Sequence, residues 1–433
     1  MRNPDMTHTS RRKFIAATSA AGLAPMIRLR GQGTAVNDKI TIGFIGVGRR
    51  GQVNMVNFLG MDDVQVVAVC DVDTKMTETA KAKVDKKYGN TDCKVFAKHE
   101  DLLAMEGLDA ICLSTPDHWH AKIGIDAAKA GMDIFGEKPF AWGLAEGREL
   151  VTAVQDNKRI WQTGCWQRSL TNFRRFKSLI ENKALGEIQR WECGTPQGCG
   201  IRAHAPEDQW DALKGSPPEH LDWERYKGPV DKYPYHPMVH PWNWRWTNAF
   251  GGGQLLDWVG HHVDIAMWSL GLDDTGPISV KGTGKKIDHK VFDVYTDYQY
   301  TGLFENGVNM EVRSDFMGTK FTGDNGWIWV NRGKLVASDD PKDTKGNPRH
   351  PLLMEVGDDF QQKTPNHYQD FINAMRSRKA AIAAEEAAHR AASFGQLAIV
   401  AIDTGRELKW DPKAEKVLGD KEQEAHPRLG SRL

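Results

Sequence analysis

Residues 40–51 read ITIGFIGVGRRG, a β-branched run that stops at a glycine and sets Gly46, Gly48 and Gly51 in the spacing G-x-G-x-x-G. A strand that must turn at once into a helix needs glycine at these three points. A side chain would block the tight turn, the approach of backbone to a pyrophosphate, and the packing of helix on strand, while the helix N-terminus faces the phosphates. Twenty residues on, the next run, VQVVAVCD, ends at Asp71, where a carboxylate takes the ribose hydroxyls of a dinucleotide. That carboxylate repels a 2'-phosphate, so NAD is expected, with Arg49 and Arg50 leaving NADP open. Further short runs, AICLS and DIFGE, alternate with stretches of helical period. This is βαβ organisation, and it predicts an α/β Rossmann domain with a parallel sheet over residues 37–160.

Ligands of an open parallel sheet bind beyond the carboxyl ends of its strands. Two such ends carry polar residues: STPDHWHA, where Thr115 and Pro116 stop a strand and His118 and His120 open a helix, and GEKPF, with Glu137 and Lys138. The histidine spacing is metal-like, but at a helix start capping and ribose contact are the expected uses, so no metal is assigned. Thr115, Pro116, His120, Glu137 and Lys138 therefore join Gly46, Gly48, Arg49, Arg50, Gly51 and Asp71 as expected cofactor-binding residues.

Lys plus Arg equals Asp plus Glu at 57 each, so the chain offers no field for nucleic acid or an anionic membrane surface. Fifteen tryptophans exceed ordinary usage, and an indole suits a sugar ring as well as a core. The six cysteines show no metal-type pairing, and only Cys193 and Cys199 are close enough in sequence for a local disulfide. At the N-terminus, SRRKFI with Arg11 and Arg12 precedes a weakly apolar run too short to span a bilayer. Residues 1–36 are expected to be a twin-arginine signal, cleaved after Ala24 or Ala35, that places the folded protein in the periplasm or otherwise outside the cytoplasm with no membrane span left.

GGGQLLDWVGHHVD, residues 251–264, sets Asp257, His261 and Asp264 on one side of a predicted helix, with His262 about 100° away. Oxidation of a secondary alcohol needs a base for the hydroxyl proton as hydride leaves carbon. Histidine titrates in the right range, Asp257 is placed to hold its imidazole, and Lys138 brings positive charge to the developing alkoxide.

Together, GFIGVGRRG, STPDHWH, GEKPF, GGGQLLDWVGHHVD and the closing HYQDFINAMRSRK and GRELKWDP resemble the Gfo/Idh/MocA oxidoreductases over nearly all of the mature chain. The resemblance implies a catalytic set of Lys138, Asp257 and His261, with Asp257 and His261 also touching substrate. It implies a second, α+β domain over 161–433, built on a large, mainly antiparallel open sheet, one face of which joins subunits into a homo-oligomer. GCWQRS would place Trp166, Gln167 and Arg168 in the substrate pocket. This chain departs from the pattern in carrying Val259 where many members have glycine, with Gly260 following. Trp244, with Trp242, Trp246, His236, His240 and Arg245, lies in a Pro- and Trp-rich insertion that would serve as sugar platform, subunit interface or loop core. The expected activity is NAD(P)-dependent oxidation of a secondary hydroxyl of a sugar, on a tightly held cofactor. An NAD-using glycosidase and a non-enzymatic sugar-binding protein are the alternatives. Glycosidase relatives lack the Glu-Lys-Pro lysine, which Lys138 supplies here.

Overall fold

Every residue from Ile42 to Ile45 is buried, because β1 (Ile40–Ile45) runs through the middle of a sheet covered on both faces. Ile42 and Phe44 point to one side, against Met55 and Phe58 of the helix Arg49–Leu59, and Ile45 points to the other, with Leu102 and Leu108. The computed structural model describes residues 39–202, 206, 208–210, 215–338, 352 and 366–433, and the expected signal segment lies outside the described residues. Around β1 stand β2 (Val64–Cys70), β3 (Lys94–Phe96), β4 (Ala110–Leu113), β5 (Asp133–Gly136) and β6 (Trp161–Thr163), all parallel, in the order β3-β2-β1-β4-β5-β6. The order reverses between β1 and β4, which opens the crevice at their carboxyl ends.

This sheet runs past the boundary expected at residue 160, since β6 pairs with β5. The helix His367–Ser377 also returns to it: Phe371 lies edge-on to Phe58 and Phe135 at 6.3 and 5.8 Å. Residues 161–163 and 367–377 therefore belong to the first core, because their apolar side chains are buried there.

The second sheet has nine strands: β7 (Ile188–Gly194), β8 (Ser279–Lys286), β9 (Tyr295–Leu303), β10 (Asn309–Arg313), β11 (Gly318–Gly323), β12 (Gly326–Asn331), β13 (Lys334–Ala337), β14 (Leu408–Asp411) and β15 (Lys416–Val417). Their order is β13-β12-β11-β7-β10-β9-β8-β14-β15, and only β7 with β10 is parallel. The long helix Glu385–Thr404 buries Leu397, Val400 and Ala401 with Val280, Tyr300 and Met310 of one sheet face. Alternation leaves Asp297, Gln299 and Leu303 of β9 exposed on the other face.

The Trp-rich insertion after β7 folds on itself, with Trp223, Tyr226, Trp244, Trp246 and Phe250 in a separate apolar cluster. It is tied to the first sheet's edge. Leu221 bridges Asp73, the His220 ring lies 3.0 Å from the Asp73 carboxylate, and Arg225 pairs with Glu100 at 3.0 Å. All six cysteines are unpaired, and no helix among the described residues is long and apolar enough to cross a membrane.

Candidate active site

Three glycines make a cradle at the end of β1. Gly46 has φ +82°, and a Cβ there would lie 2.7 Å from the Ser114 backbone. A Cβ on Gly51 would fall 2.0 Å from the Gly46 carbonyl oxygen, so Gly51 serves the helix-to-turn packing. Gly48 has open space instead, leaving its backbone free for a ligand. Asp71 is fixed at the floor: Val47 N–H and Asp73 N–H donate to its two oxygens at 2.8 and 3.1 Å. Burial pushes its carboxyl up to about 6 in spite of those donors. The cradle, the aspartate and a helix N-terminus fit a dinucleotide pyrophosphate and ribose.

A single cleft of about 1190 Å³ runs from this cradle to the helix that carries His261. That exceeds the upper end of ordinary small-molecule pockets, about 1,000 Å³, and leaves room for a second ligand beside a dinucleotide. Gly46, Gly48, Arg49, Arg50, Asp71, Thr115, Pro116, Glu137 and Lys138 line it, as do Trp166, Trp244, Asp257 and His261. Glu137 acts partly through Arg50, whose Nε donates to it at 2.6 Å, and Asn54 donates at 3.0 Å. Burial opposes the Glu137 charge, but Arg50 and Lys138 outweigh it and hold the carboxyl below its usual range.

Lys138 leaves the end of β5 and reaches Asp257, with Nζ 2.8 Å from a carboxylate oxygen and 3.2 Å from its backbone carbonyl. Arg245 adds a contact at 3.7 Å. Burial would raise the Asp257 carboxyl, and these cations reverse the effect, so it is anionic. The expected Asp257–His261 pairing is not formed, because the helix does not run straight between them. It is α-helical over Gly253–Trp258, widens to a π-turn over Val259–Val263, and resumes at Asp264. Gly260 makes this approach possible: a Cβ there would meet the Lys138 Cβ at 2.8 Å. His261 faces the cleft, its ring 5.0 Å from Trp258 and 6.5 Å from Trp166, and its Nδ1 has no hydrogen-bond partner among the described residues. Burial first, then Lys138 and Arg332, hold its imidazole neutral, well below the usual histidine range. His262 turns the other way and donates from Nδ1 to the Gly194 carbonyl at 2.5 Å.

Several expected site residues stand elsewhere. His120 is buried, its ring nitrogens 2.7 Å from the Pro139 carbonyl and 2.9 Å from that of Thr115, so it ties together the two strand-end loops instead of facing a ribose. His118 likewise lies against the Tyr226 carbonyl at 2.9 Å. Gln167 is fully buried outside the cleft, its amide without a partner among the described residues. Arg168 is also buried. Its five N–H groups go to Asp264 (2.8 and 2.6 Å), Asp273 (2.8 and 2.8 Å) and the Ile382 carbonyl (3.2 Å). That is a saturated structural lock, and it removes Asp264 from the reactive end as well.

The insertion divides between two roles. Trp244 and Trp246 are buried in its core yet line the cleft, as does the half-buried Trp242, while His236 is turned inward. The guanidinium of Arg245 stacks on Trp242 and Trp244 at 4.3 and 4.2 Å, and that of Arg49 lies 5.2 Å from Trp242. Asp117 and Arg332 are among the cleft residues that escaped the sequence reading. Asp117 is a buried carboxyl at the β4 end that burial and Asp257 push up to about 7. Arg332 comes from the turn between β12 and β13. No local pattern marks Arg332, whereas Asp117 lies within STPDHWHA at a strand's carboxyl end, where a polar residue can face a ligand. Among the described residues, no cluster of three metal-ligating side chains occurs.

Residues 40–165 match an oxidoreductase family described by its NAD-binding Rossmann fold, and residues 176–428 match that family's C-terminal alpha/beta domain. A glycosyl hydrolase family 109 protein of Shewanella sp. is 28% identical over 152 residues, which cover 34% of this chain and 31% of that protein. The uncharacterized oxidoreductase YrbE of Bacillus subtilis is 28% identical over 190 residues, 44% of this chain and 49% of its own. The chain thus spans less than half the length of these curated relatives. Among solved structures, the scyllo-inositol dehydrogenase of Lactobacillus casei, bound to NAD(H) and scyllo-inositol, aligns with a TM-score of 0.59 at 16% identity, covering 86% of this chain and 99% of that one. With both of its domains matched, the chain belongs to the Gfo/Idh/MocA oxidoreductase family.

Proposed function

We propose that this chain oxidises a secondary hydroxyl of a sugar or sugar derivative. The observation that carries the reading is the convergence, in one cleft, of the glycine cradle, the Lys138–Asp257 pair and a neutral His261. When bound, NAD supplies the hydride acceptor. His261, held neutral by burial and by Lys138 and Arg332, lines the cleft and accepts the hydroxyl proton there. Lys138, fixed by Asp257, presents its ammonium to the alkoxide as charge develops there. The indoles of Trp166, Trp244 and Trp258 wall the site with flat apolar faces suited to a sugar ring. The substrate and activity of the scyllo-inositol dehydrogenase agree with this chemistry.

The cofactor is held tightly in this reading. Tyr226, His240 and Trp242 of the insertion line the same cleft as Gly46 and Asp71, and the insertion is anchored at Asp73, two residues beyond the ribose-binding carboxylate. Extensively dialysed protein should retain NAD, and addition of the right sugar should raise absorbance near 340 nm with no NAD supplied. Protein that emerges empty yet turns over freely added NAD at full rate would refute tight retention. NAD-dependent glycoside cleavage is the second reading, favoured by the glycosyl hydrolase relatives. Release of an aglycone from a nitrophenyl glycoside panel separates the two, since simple oxidation releases none.

Export through the twin-arginine route fits a cofactor that must leave the cytoplasm with folded protein. Replacing Arg11 and Arg12 by lysine should leave the protein in the cytoplasm. Unchanged export of that double variant would remove the assignment.

A further inference from the structure

We infer that the sugar carries an anionic group, a carboxylate or phosphate, and that Arg332 receives it. The inference rests on the oxidoreductase reading of the same cleft and names its substrate class. Arg332 sits on a two-residue turn fixed by the Asn331–Lys334 strand pair, with Gly333 at φ +74°. Its guanidinium lies 4.8 Å from the Trp166 ring and 4.7 Å from the Trp258 ring, and both indoles flank His261. An exposed arginine is ordinarily a mobile, solvated side chain. Two stacking faces hold this one in a fixed orientation at the mouth of the cleft, so less rotamer freedom is lost when its planar fork engages an anion.

Charge makes the same case. Although the whole chain is neutral, the described lining of the cleft carries eight Lys and Arg side chains against four Asp and Glu, and of the eight only Arg225 is paired with a carboxylate outside the lining, that of Glu100, among the described residues. The pyrophosphate of a dinucleotide offsets about two of those charges at the cradle. Near His261, Lys138 is satisfied by Asp257 at 2.8 Å and Arg245 has the same carboxylate at 3.7 Å. Arg332 has no carboxylate within 4.0 Å among the described residues and feels the Asp257 charge only from farther away, so it is the cation at the reactive end left without a direct ion pair. A carboxylate or phosphate on the sugar supplies the missing charge, and a bidentate pair with the guanidinium would also fix which hydroxyl faces His261.

The test uses the full-length protein with its retained cofactor and matched probes: glucose, glucuronate and glucose 6-phosphate, and the same three forms of galactose and mannose. Reduction at 340 nm and calorimetric binding are read for the unmodified protein and for Arg332→Gln. At least one anionic probe should outperform its neutral partner by about ten- to a hundredfold, the ordinary worth of a charged hydrogen bond. Arg332→Gln should erase that preference, read within the variant as the ratio of each anionic probe to its neutral partner, because loss of the charge also acts on His261 for every sugar. Raised salt should weaken the anionic probe alone. Equal use of neutral and anionic probes, or a preference that survives in Arg332→Gln, overturns the anion site and leaves the oxidoreductase reading standing. Arg332-dependent binding of an anionic probe with no cofactor reduction by any sugar overturns the oxidoreductase reading and keeps the anion site. No binding by any anionic probe overturns the proposal.

Discussion

His261→Ala is expected to lower kcat by about 10² to 10⁴, the range that general-base assistance is worth, while the NAD content of the purified protein stays unchanged. The second half follows from position, since His261 stands on the π-turn over Val259–Val263 and the glycine cradle is at the end of β1. The pH profile is a separate readout. Because burial and the nearby Lys138 and Arg332 disfavour the imidazolium, the base stays deprotonated well below pH 6.5. The acid limb of kcat/KM should therefore be displaced below the point where an ordinary histidine would halve the rate. Asp117, pushed up to about 7, is expected to titrate near neutrality, about a unit above Asp71 in the same cleft. Any inflection near pH 7 should vanish in Asp117→Asn, while the loss in His261→Ala remains. Near-normal turnover by His261→Ala, measured as single-turnover cofactor reduction, would exclude it as the base.

Arg168→Met is expected to destabilise the fold by about 3 to 5 kcal/mol, the usual cost of removing one partner from a buried ion pair. Asp264 is only 1% exposed and would lose both of its charged hydrogen bonds. Asp273 is 36% exposed, and water can replace its partner. The sign of the pH effect follows. Burial already holds the Asp264 carboxyl above its ordinary value against the pull of Arg168, and without Arg168 it rises further above that of the unfolded chain, so the folded state binds the extra proton. Stability is then kept at pH values below the ordinary carboxylate value and lost as pH rises through the raised one. The melting difference between Arg168→Met and the unmodified protein should be small near pH 4 and large near pH 7.5. Adding Asp264→Asn should recover part of it at neutral pH only. A pH-independent deficit, or none, would mean that the pair is not the buried lock seen here. A substrate-binding arginine would behave otherwise, losing KM with stability unchanged.

These two residues mark where sequence reading reached its limit. The place of His261 on the cleft wall was legible because it lies in a short segment that follows a glycine run and faces the Glu-Lys-Pro strand end. Arg168 was misread for the opposite reason. Its position after a strand end matched a substrate-lining segment, but the direction of its side chain was decided by Asp264 and Asp273, 96 and 105 residues away. The same holds for His120, whose place at a helix start suggested a ribose contact until the Pro139 and Thr115 carbonyls claimed both nitrogens.

The sequence by itself determined the parallel dinucleotide sheet, because strand-turn-helix glycines and period-2 apolar runs are local demands of backbone sterics and burial. It marked in the same way residues that meet in the cleft, through Glu-Lys-Pro at one strand end and the Asp-x-x-x-His helix. Only the tertiary structure decided that Asp257 pairs with Lys138 instead of His261, because a π-turn and a Cβ-free Gly260 reset the helix phase at the point of contact. It alone brought Arg332 from a distant hairpin between Trp166 and Trp258. It also folded the helix His367–Ser377 back onto the first sheet. Contacts across more than a hundred residues are set by which apolar faces are buried together, and no local pattern in the chain encodes that partner.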